Sequence, residues 1–315
     1  MAYPRIDIAF CVNDRYAEYV GVTVRSICDT HGNADVVIHI LSDYISDRRK
    51  ATLLEIVAPF PDVNLRFYTV DDTVLRGLKD TWSIYTWYRV LLPDLLPDDV
   101  RRVLYLDTDT LVTGDLTELF AMDMTDRAVA CAIDIMSFDD EAFDRCDFQR
   151  EKVYVCAGVM MMNLDFWREN ALAEKIVRYG RENDARIRFP DQDTINILCQ
   201  DTKIVLPMKF GIQEAFFRND ALYASRWSTQ MLECIDDPRI VHYAGYAPWV
   251  REYDWTVMHH RWMNVSRSLP HPVRPRYRTR GLNLLKVWAY SLFHHDYRRD
   301  LTENEVRRMI IETRK

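Results

Sequence analysis

Two aspartates stand one residue apart at the end of an apolar run. Residues 101–116 read RRVLYLDTDTLVTGDL, and the apolar run ends directly in Asp107, Thr108 and Asp109. Side chains at positions i and i+2 of a strand point the same way, so both carboxylates would project together. Open α/β sheets bind ligands beyond the carboxyl ends of their strands. Because two adjacent carboxylates repel each other, the pair predicts a site for Mg²⁺ or Mn²⁺, which would in turn neutralise a diphosphate.

Two other interpretations of this pair remain open from its spacing. Aspartate at the end of a strand is often only a turn residue or a helix cap, and the chain has a second such pair, Asp191 and Asp193. The run followed by DTDTL also resembles the first motif of haloacid-dehalogenase-type phosphatases, in which the first aspartate is a nucleophile. Those proteins usually carry the motif on their N-terminal strand, whereas three strand–helix units precede it here.

Apolar runs of strand length alternate with helical patterns along the chain, and they predict the strands and helices that position these residues. Strands are predicted at 6–12, 36–42, 64–70, 102–107, 128–133, 157–164, 202–206 and 239–243. Helices are predicted at 16–30, 46–57, 85–92, 165–182 (with Asp165 as its N-cap) and 191–200. Such alternation is typical of βαβ units and a mainly parallel sheet. Continuously apolar strands indicate a sheet that helices cover on both faces.

The composition favours a cytoplasmic protein with a large core. The chain has 315 residues, of which 48% are hydrophobic, which suits one large α/β domain with an appendage or two domains. No stretch approaches the roughly 18 apolar residues of a membrane-spanning helix, and MAYPRIDIAF is typical of a first strand rather than a signal peptide. The seven scattered cysteines form no CxxC pair, so we expect buried or free thiols.

The charge is distributed unevenly between a body and a tail. Residues 1–260 carry a formal charge of −15 and residues 261–315 carry +8. The proline-containing stretch 266–281 is predicted to be a linker. The segment 282–293 (LNLLKVWAYSLF) has the composition of a helix that lies in a membrane interface. Packing of this segment on the body as an ordinary C-terminal cap remains the alternative.

A longer segment resembles the central signature of family 8 glycosyltransferases. It reads TWYRVLLPDLLPDDVRRVLYLDTDTLVTGDLTELF, and four further blocks occur in the order of that family. These blocks are IAFCVNDRYAEYVGVTVRSI, CAGVMMMNLDFWR, FPDQDTINIL and IVHYAGYAPW, and the similarity covers roughly residues 5–260. The resemblance implies the GT-A fold, a Rossmann-like mixed and mainly parallel sheet with helices on both faces. It divides the chain into a nucleotide-sugar-binding catalytic domain, 1–260, and a small basic helical tail, 261–315.

The resemblance also implies a metal site with three protein ligands. Asp107 and Asp109 match the metal-binding pair of the family, and His242 in VHYAG matches the third ligand. Imidazole nitrogen beside carboxylate oxygens suits Mn²⁺ better than Mg²⁺, so Mn²⁺ is expected and Mg²⁺ is the alternative. Taken alone, His242 at the end of a strand would more often be a structural histidine.

The expected donor is a UDP-hexose. Val12, Asn13, Asp14 and Tyr16 match the loop that holds uracil and ribose, although VNDRY alone is typical of an ordinary turn. Arg89 in YRVLL matches an arginine on the donor sugar and phosphate side, and Asp191 and Gln192 match the pair at the donor sugar, with Gln192 near the anomeric carbon. These three are the expected catalytic residues, although Asp191 could equally be only a helix cap. The remaining residues expected to bind the donor are Thr108, Ala157, Gly158, Gly245 and Arg251.

Two positions depart from the family pattern. Cys156 stands where the bacterial enzymes commonly have an asparagine that contacts the donor sugar, and a thiol is a poor substitute for an amide. The block HYAGYAPW lacks the lysine that binds the diphosphate, and Arg251 is the expected replacement. These departures leave the donor sugar and the diphosphate contact open.

The expected function is retaining transfer of glucose or galactose from a UDP-sugar to a glycan or lipid-linked acceptor, such as lipopolysaccharide or a cell-surface polysaccharide. The acceptor hydroxyl would attack from the face of the leaving group, because an amide at Gln192 is a poor nucleophile. The basic tail predicts peripheral binding to the cytoplasmic face of a membrane, and no nucleic-acid partner is expected. A glycogenin-like enzyme that glucosylates its own tyrosine and a non-catalytic nucleotide-sugar-binding protein remain alternatives.

Overall fold

The computed structural model describes residues 5–79, 83–146, 148–149, 151–217, 220–253, 256–278, 306 and 308, with the backbone alone for 220–226. The strands are β1 (Ile6–Cys11), β2 (Val36–Ser42), β3 (Val63–Thr69), β4 (Arg102–Leu106), β5 (Thr110–Val112), β6 (Val129–Ile133), β7 (Val155–Asn163), β8 (Lys203–Leu206), β9 (Ile212–Gln213) and β10 (Ile240–His242). The helices are α1 (Ala17–His31), α2 (Asp47–Val57), α3 (Tyr85–Tyr88), α4 (Leu92–Leu95), α5 (Thr117–Ala121), α6 (Asp140–Cys146), α7 (Leu164–Glu169), α8 (Leu172–Glu182), α9 (Pro190–Leu198), α10 (Asp220–Asp236) and α11 (His259–Arg267).

A mixed seven-stranded sheet forms the centre of the fold. Its strand order is β3-β2-β1-β4-β7-β6-β8. Only β7 pairs antiparallel with its neighbours among these strands, so the sheet is mainly parallel, as predicted. A second sheet has the order β5-β10-β9, and in it β10 lies antiparallel to β5. Since β5 follows β4 closely in the chain, this pairing carries the end of β10 to the carboxyl end of β4.

The side chains of the sheet alternate between two apolar cores. Ile8 and Phe10 pack on one face with buried residues of α1, α2, α10 and α11. Ala9 and Cys11 pack on the other face with residues of α3, α8 and α9, among them the fully buried Trp87. This alternation follows from the two-residue period of a strand, and it confirms helices on both faces of the sheet.

The predicted helix 165–182 is wrong as a single element. It is divided into α7 and α8 because Ala171 adopts left-handed backbone angles (φ +47°), which an α-helix cannot contain. The N-cap of α7 is Asn163, whose side-chain oxygen accepts the N–H of Phe166 at 3.2 Å, and not Asp165. The Asp165 carboxylate instead pairs with Arg101.

The first part of the predicted tail packs on the body. Helix α11 runs across the expected boundary between 260 and 261, and its Trp262 is fully buried. Leu269 and Val273 are also buried, although most other described residues of 266–281 are exposed, and the interpretation of this stretch as a linker stays a prediction. The segment 282–293 lies outside the described residues, and the division into two parts stays a prediction. In the described part of the chain, none of the helices has both the length and the apolar character to cross a bilayer.

Replacing Trp262 tests the packing of α11. Trp262→Ala removes a large buried side chain beside Trp249, so we expect the free energy of unfolding to fall by about 3–5 kcal/mol in urea titrations. The control is Arg267→Ala, an exposed position on the same helix, with an expected change within about 0.5 kcal/mol. Equal stability of the two variants would contradict this packing.

Candidate functional site

Three potential metal ligands meet at the carboxyl end of β4. Asp107, Asp109 and His242 each offer one ligand atom, and these atoms lie within 4.8 Å of one another. The Nε2 atom of His242 is 3.3 Å from Asp109 Oδ1 and 3.8 Å from Asp107 Oδ2. We name this group the Asp–Asp–His cluster. The turn at residues 107–109, between β4 and β5, is named the aspartate turn. The cluster exists because His242 pairs with Thr110, directly after this turn, and Tyr243 N donates to Asp109 O at 2.8 Å.

One carboxylate oxygen of Asp107 accepts hydrogen bonds from protein donors, and the other faces His242. Arg89 Nη2 donates to Asp107 Oδ1 at 2.9 Å, and the hydroxyl of Tyr105 donates to the same oxygen at 2.7 Å. Burial alone would raise the pKa of Asp107, but the charge of Arg89 and these hydrogen bonds lower it below its usual range. Asp107 is therefore ionised at neutral pH, with Oδ2 turned toward His242.

Arg89 joins three parts of the site through one buried guanidinium. Besides Asp107, it contacts Asp191 Oδ2 at 3.1 Å, Ala157 O at 2.7 Å and Thr86 O at 2.8 Å. Burial raises the pKa of Asp191 and is only partly opposed by Arg89. Arg89 therefore holds the carboxylates of Asp107 and Asp191 in place. Its direct contact with a donor sugar stays a prediction.

Gln192 is oriented by the backbone of β7. Its Oε1 accepts the N–H of Ala157 at 2.9 Å, and its Nε2 lies 3.5 Å from the hydroxyl of Tyr154. Helix α9 has Phe189 as its N-cap, so Asp191 lies inside the first turn and is not the cap. The cluster, Arg89, Asp191 and Gln192 therefore form one connected group, in agreement with the grouping that the sequence predicts.

The second aspartate pair has a different structural task. Asp193 is fully buried and accepts hydrogen bonds from Arg145, from the Tyr154 hydroxyl and from the backbone N–H groups of Arg188 and Phe189. Asp191 and Asp193 lie on a helix, where residues i and i+2 point about 200° apart. The pair therefore does not converge on one ion, unlike Asp107 and Asp109 at the end of a strand.

Gly158 brings the backbone of β7 against the cluster. A Cβ atom at this position would lie 2.3 Å from His242 Cε1 and 2.5 Å from Asp107 Oδ2. The carbonyl of Gly158 accepts the N–H of Asp107 at 2.8 Å, which fixes the aspartate turn to β7. Sequence reasoning placed Gly158 in the donor site, but it did not find this steric requirement, which depends on a contact with distant His242.

The loop after β1 uses its polar groups to hold its own shape. Asn13 Oδ1 accepts the N–H of Tyr16 at 2.9 Å, and Val12 N donates to Leu41 O. Asp14 Oδ1 accepts both the N–H and the hydroxyl of Ser46, and these bonds lower the pKa of Asp14. These hydrogen bonds form the ordinary turn that the sequence VNDRY indicates by itself. Recognition of uracil and ribose by these residues stays a prediction.

Aromatic rings lie beside this loop. Tyr16 is 39% exposed and meets Trp249 edge to face, with 5.8 Å between the ring centroids. Trp249 also stacks on Tyr19 at 4.1 Å. The exposed ring of Tyr16 is thus held by two others, which suits the stacking role expected for it.

Three further residues expected to bind the donor lie in two turns and at the start of a short 3-10 helix, Arg251–Tyr253. Thr108 lies inside the aspartate turn, where its carbonyl is 3.5 Å from the hydroxyl of Thr23. Gly245 follows β10 with a φ of +76°, a conformation that favours glycine. Arg251 places its guanidinium over the ring of Tyr277 at 5.4 Å, and its N–H donates to Arg276 O. Diphosphate binding by Arg251 stays a prediction.

The chemistry of the cluster fits a divalent cation. Two carboxylates and one imidazole nitrogen converge, Asp107 Oδ2 faces the other ligands, and the absence of a side chain at Gly158 allows His242 and Asp107 to approach the backbone of β7. A mainly parallel sheet with such a cluster beyond the carboxyl end of a central strand is typical of α/β proteins that bind a ligand at this edge, here with a potential metal site.

Comparison with known proteins identifies the family. The sequence model of glycosyl transferase family 8 matches residues 7–252, and the chain belongs to this family. A lipopolysaccharide 1,2-glucosyltransferase of Escherichia coli is 26% identical over 259 residues, which cover 79% of this chain and 74% of that protein. A lipopolysaccharide 1,3-galactosyltransferase of Salmonella typhimurium is 23% identical, over 78% of this chain and 73% of that protein.

A solved structure supports the same assignment. The galactosyltransferase LgtC, in complex with donor and acceptor sugar analogues, superposes with a TM-score of 0.74 and 25% identity over 90% of this chain and 100% of that chain. These matches confirm the predicted family and the GT-A fold. The chain is therefore a family 8 glycosyltransferase.

Replacing Gly158 tests the geometry of the cluster. In Gly158→Ala the new methyl group would overlap His242 and Asp107, so we expect Mn²⁺ affinity, measured by electron paramagnetic resonance titration, to fall at least about tenfold. The control is Gly21→Ala in α1, where the added carbon meets only the ends of Ile56 and Leu53 side chains. Parental Mn²⁺ affinity in Gly158→Ala would show that these three side chains do not form the metal site.

Proposed function

We propose that this chain transfers a hexose, glucose or galactose, from a UDP-sugar to a lipopolysaccharide-type glycan or lipid-linked acceptor, with retention of the anomeric configuration. The observation that carries the proposal is the Asp–Asp–His cluster beyond β4, connected through Arg89 to Asp191 and, through the backbone of Ala157, to Gln192. The acceptor class is supported by the named activities of the relatives, which include lipopolysaccharide glucosyl- and galactosyltransferases.

Asp107, Asp109 and His242 would hold the cation. A mixed set of imidazole and carboxylate ligands suits Mn²⁺, with Mg²⁺ as the alternative. When bound, the ion supplies positive charge that stabilises a departing diphosphate. Arg89 is buried and engaged with protein oxygens, so its contribution is to keep Asp107 ionised and Asp191 oriented.

The arrangement of Gln192 favours attack from the face of the leaving group. An amide is a poor nucleophile, and Oε1 of Gln192 already accepts the N–H of Ala157. The acceptor hydroxyl would then bond to the anomeric carbon as the bond to the β-phosphate oxygen breaks, and a β-phosphate oxygen would take the hydroxyl proton. Asp191 and Gln192 would orient the sugar, with Asp191 accepting hydrogen bonds from its hydroxyls.

A panel of UDP-sugars tests the proposal. We expect slow hydrolysis of UDP-glucose or UDP-galactose with Mn²⁺ in the absence of acceptor, measured as release of UDP. Asp109→Asn should lose this activity at least about 100-fold because it removes a ligand charge. The control Asp193→Asn changes the other aspartate pair and should keep Mn²⁺ binding, although it loses stability.

The stereochemistry of transfer gives an independent readout. A retaining enzyme with a UDP-α-hexose yields an α-linked product, which the coupling of the anomeric proton in NMR identifies. Hydrolysis that needs no metal, or a β-linked product, would contradict the proposed mechanism. Incorporation of hexose into the protein itself would favour the self-glucosylating alternative.

We further propose that the C-terminal part binds the cytoplasmic face of a membrane. Residues 261–295 contain seven basic residues and no acidic ones, while residues 1–260 carry a charge of −15. An acidic body would be repelled by anionic lipid, whereas each basic residue near such a surface contributes on the order of 1 kcal/mol. Binding there would bring the enzyme to a lipid-linked acceptor.

Charge and aromatic substitutions test this membrane proposal. Lys286→Glu combined with Trp288→Ser should reduce sedimentation with anionic liposomes at least about tenfold, because it reverses one charge and removes an interfacial aromatic ring. Hydrolysis of the donor sugar should remain unchanged. Binding of the parent chain should weaken steeply as salt rises. Undiminished liposome binding by the double variant, or no binding by the parent chain, would contradict the proposal.

A further inference from the structure

The two ring nitrogens of His242 face different neighbours. Nε2 lies toward Asp107 and Asp109, whereas Nδ1 lies 3.4 Å from Cys156 Sγ. Both His242 and Cys156 are buried, so water does not compete strongly for this contact. The thiol is thus placed on the side of the imidazole opposite the potential ligand atom, where it cannot bind the same ion as Nε2.

The sulfur of Cys156 is arranged as a hydrogen-bond acceptor. The backbone N–H of Gly158 points at Sγ at 3.4 Å, and a backbone N–H can only donate. A proton on Nδ1 of His242 would give the same sulfur a second donor. A neutral imidazole with its proton on Nδ1 has its lone pair on Nε2, which is the nitrogen that faces the two carboxylates.

We propose that Cys156 is a positioning residue of the metal site. By accepting a hydrogen bond from Nδ1, it fixes the ring orientation and the tautomer in which Nε2 of His242 can bind a divalent cation. Metal-binding histidines depend on a partner for their other nitrogen, and loss of that partner typically costs 10–100-fold in metal affinity. This inference rests on the proposed function, because it assigns a role toward the cation that the function requires.

The size of sulfur gives the contact a specific chemical signature. A thiol acceptor reaches Nδ1 across 3.4 Å, a distance that is ordinary for sulfur but too long for a strong bond to oxygen. In Cys156→Ser the shorter C–O bond would draw the acceptor further away, so serine, although similar in shape, should not replace cysteine. Asparagine extends its carbonyl oxygen further and can accept from Nδ1, so it is the variant expected to restore the contact.

Metal titration of the full chain without nucleotide tests this role. We expect Cys156→Ala and Cys156→Ser to raise the dissociation constant for Mn²⁺ by about 10–100-fold, and Cys156→Asn to remain within about threefold of the parent. The matched control is Cys131→Ala, which removes another fully buried thiol from the adjacent strand β6. It should lower stability in the same way and leave Mn²⁺ affinity unchanged.

A second readout reports the tautomer itself. In protein loaded with diamagnetic Mg²⁺ and labelled with ¹⁵N-histidine, the His242 signals should show the proton on Nδ1, and Cys156→Ala should shift or broaden them. Equal Mn²⁺ affinity in the parent and in Cys156→Ala, or a proton found on Nε2 in the parent, would overturn the positioning role alone. A parent chain that binds neither cation would instead overturn the proposed function, and this inference with it.

Discussion

The buried guanidinium of Arg89 is the interaction on which the arrangement of the site depends. It contacts Asp107 at the end of β4, Asp191 in the first turn of α9 and the carbonyl of Ala157 in β7. A buried charge is tolerated when it is paired and its hydrogen bonds are satisfied, and the oxygens that satisfy Arg89 come from these three elements and from Thr86. Its loss would remove the positive charge that Asp107 and Asp191 share, and Asp107 would keep only the hydroxyl of Tyr105 and the nearby His242. The same ion pair that permits the packing therefore orients the groups expected to act on the donor.

Helical geometry separates two aspartate pairs that look alike in the sequence. Asp107 and Asp109 converge on His242, whereas Asp193 satisfies backbone N–H groups before α9 and the hydroxyl of Tyr154. The difference arises from the elements that carry them. Asp107 and Asp109 lie in the turn between β4 and β5, where both carboxylates face His242, whereas residues two apart on a helix point about 200° apart. A bare pair of aspartates thus predicts a metal site only when the preceding element is known.

Local patterns predicted the first half of the fold well and the long-range contacts poorly. Strand β2 was predicted with its observed bounds, since its apolar run is continuous, and the aspartate turn followed from the end of β4. His242 could be placed beside that turn only through the family resemblance, because β10 pairs with β5 across about 130 residues. Helices α10 and α11 were missed. The contacts of Cys156 and Gly158 with His242 have no local signal, because each depends on this same pairing.

Residues 156–158 of β7 contact most of the site residues, and they can do so because the sheet is irregular there. Cys131 of β6 is opposite Met160, but Ile133 is opposite Val155, so the register shifts between them and releases part of β7 from the β6 ladder. The N–H and carbonyl of Ala157 are then available to Gln192 and Arg89, while Gly158 O still accepts from Asp107 on the β4 side. A regular ladder would occupy these backbone groups. The irregularity is therefore a structural requirement of the site, as bulges beside active sites often are.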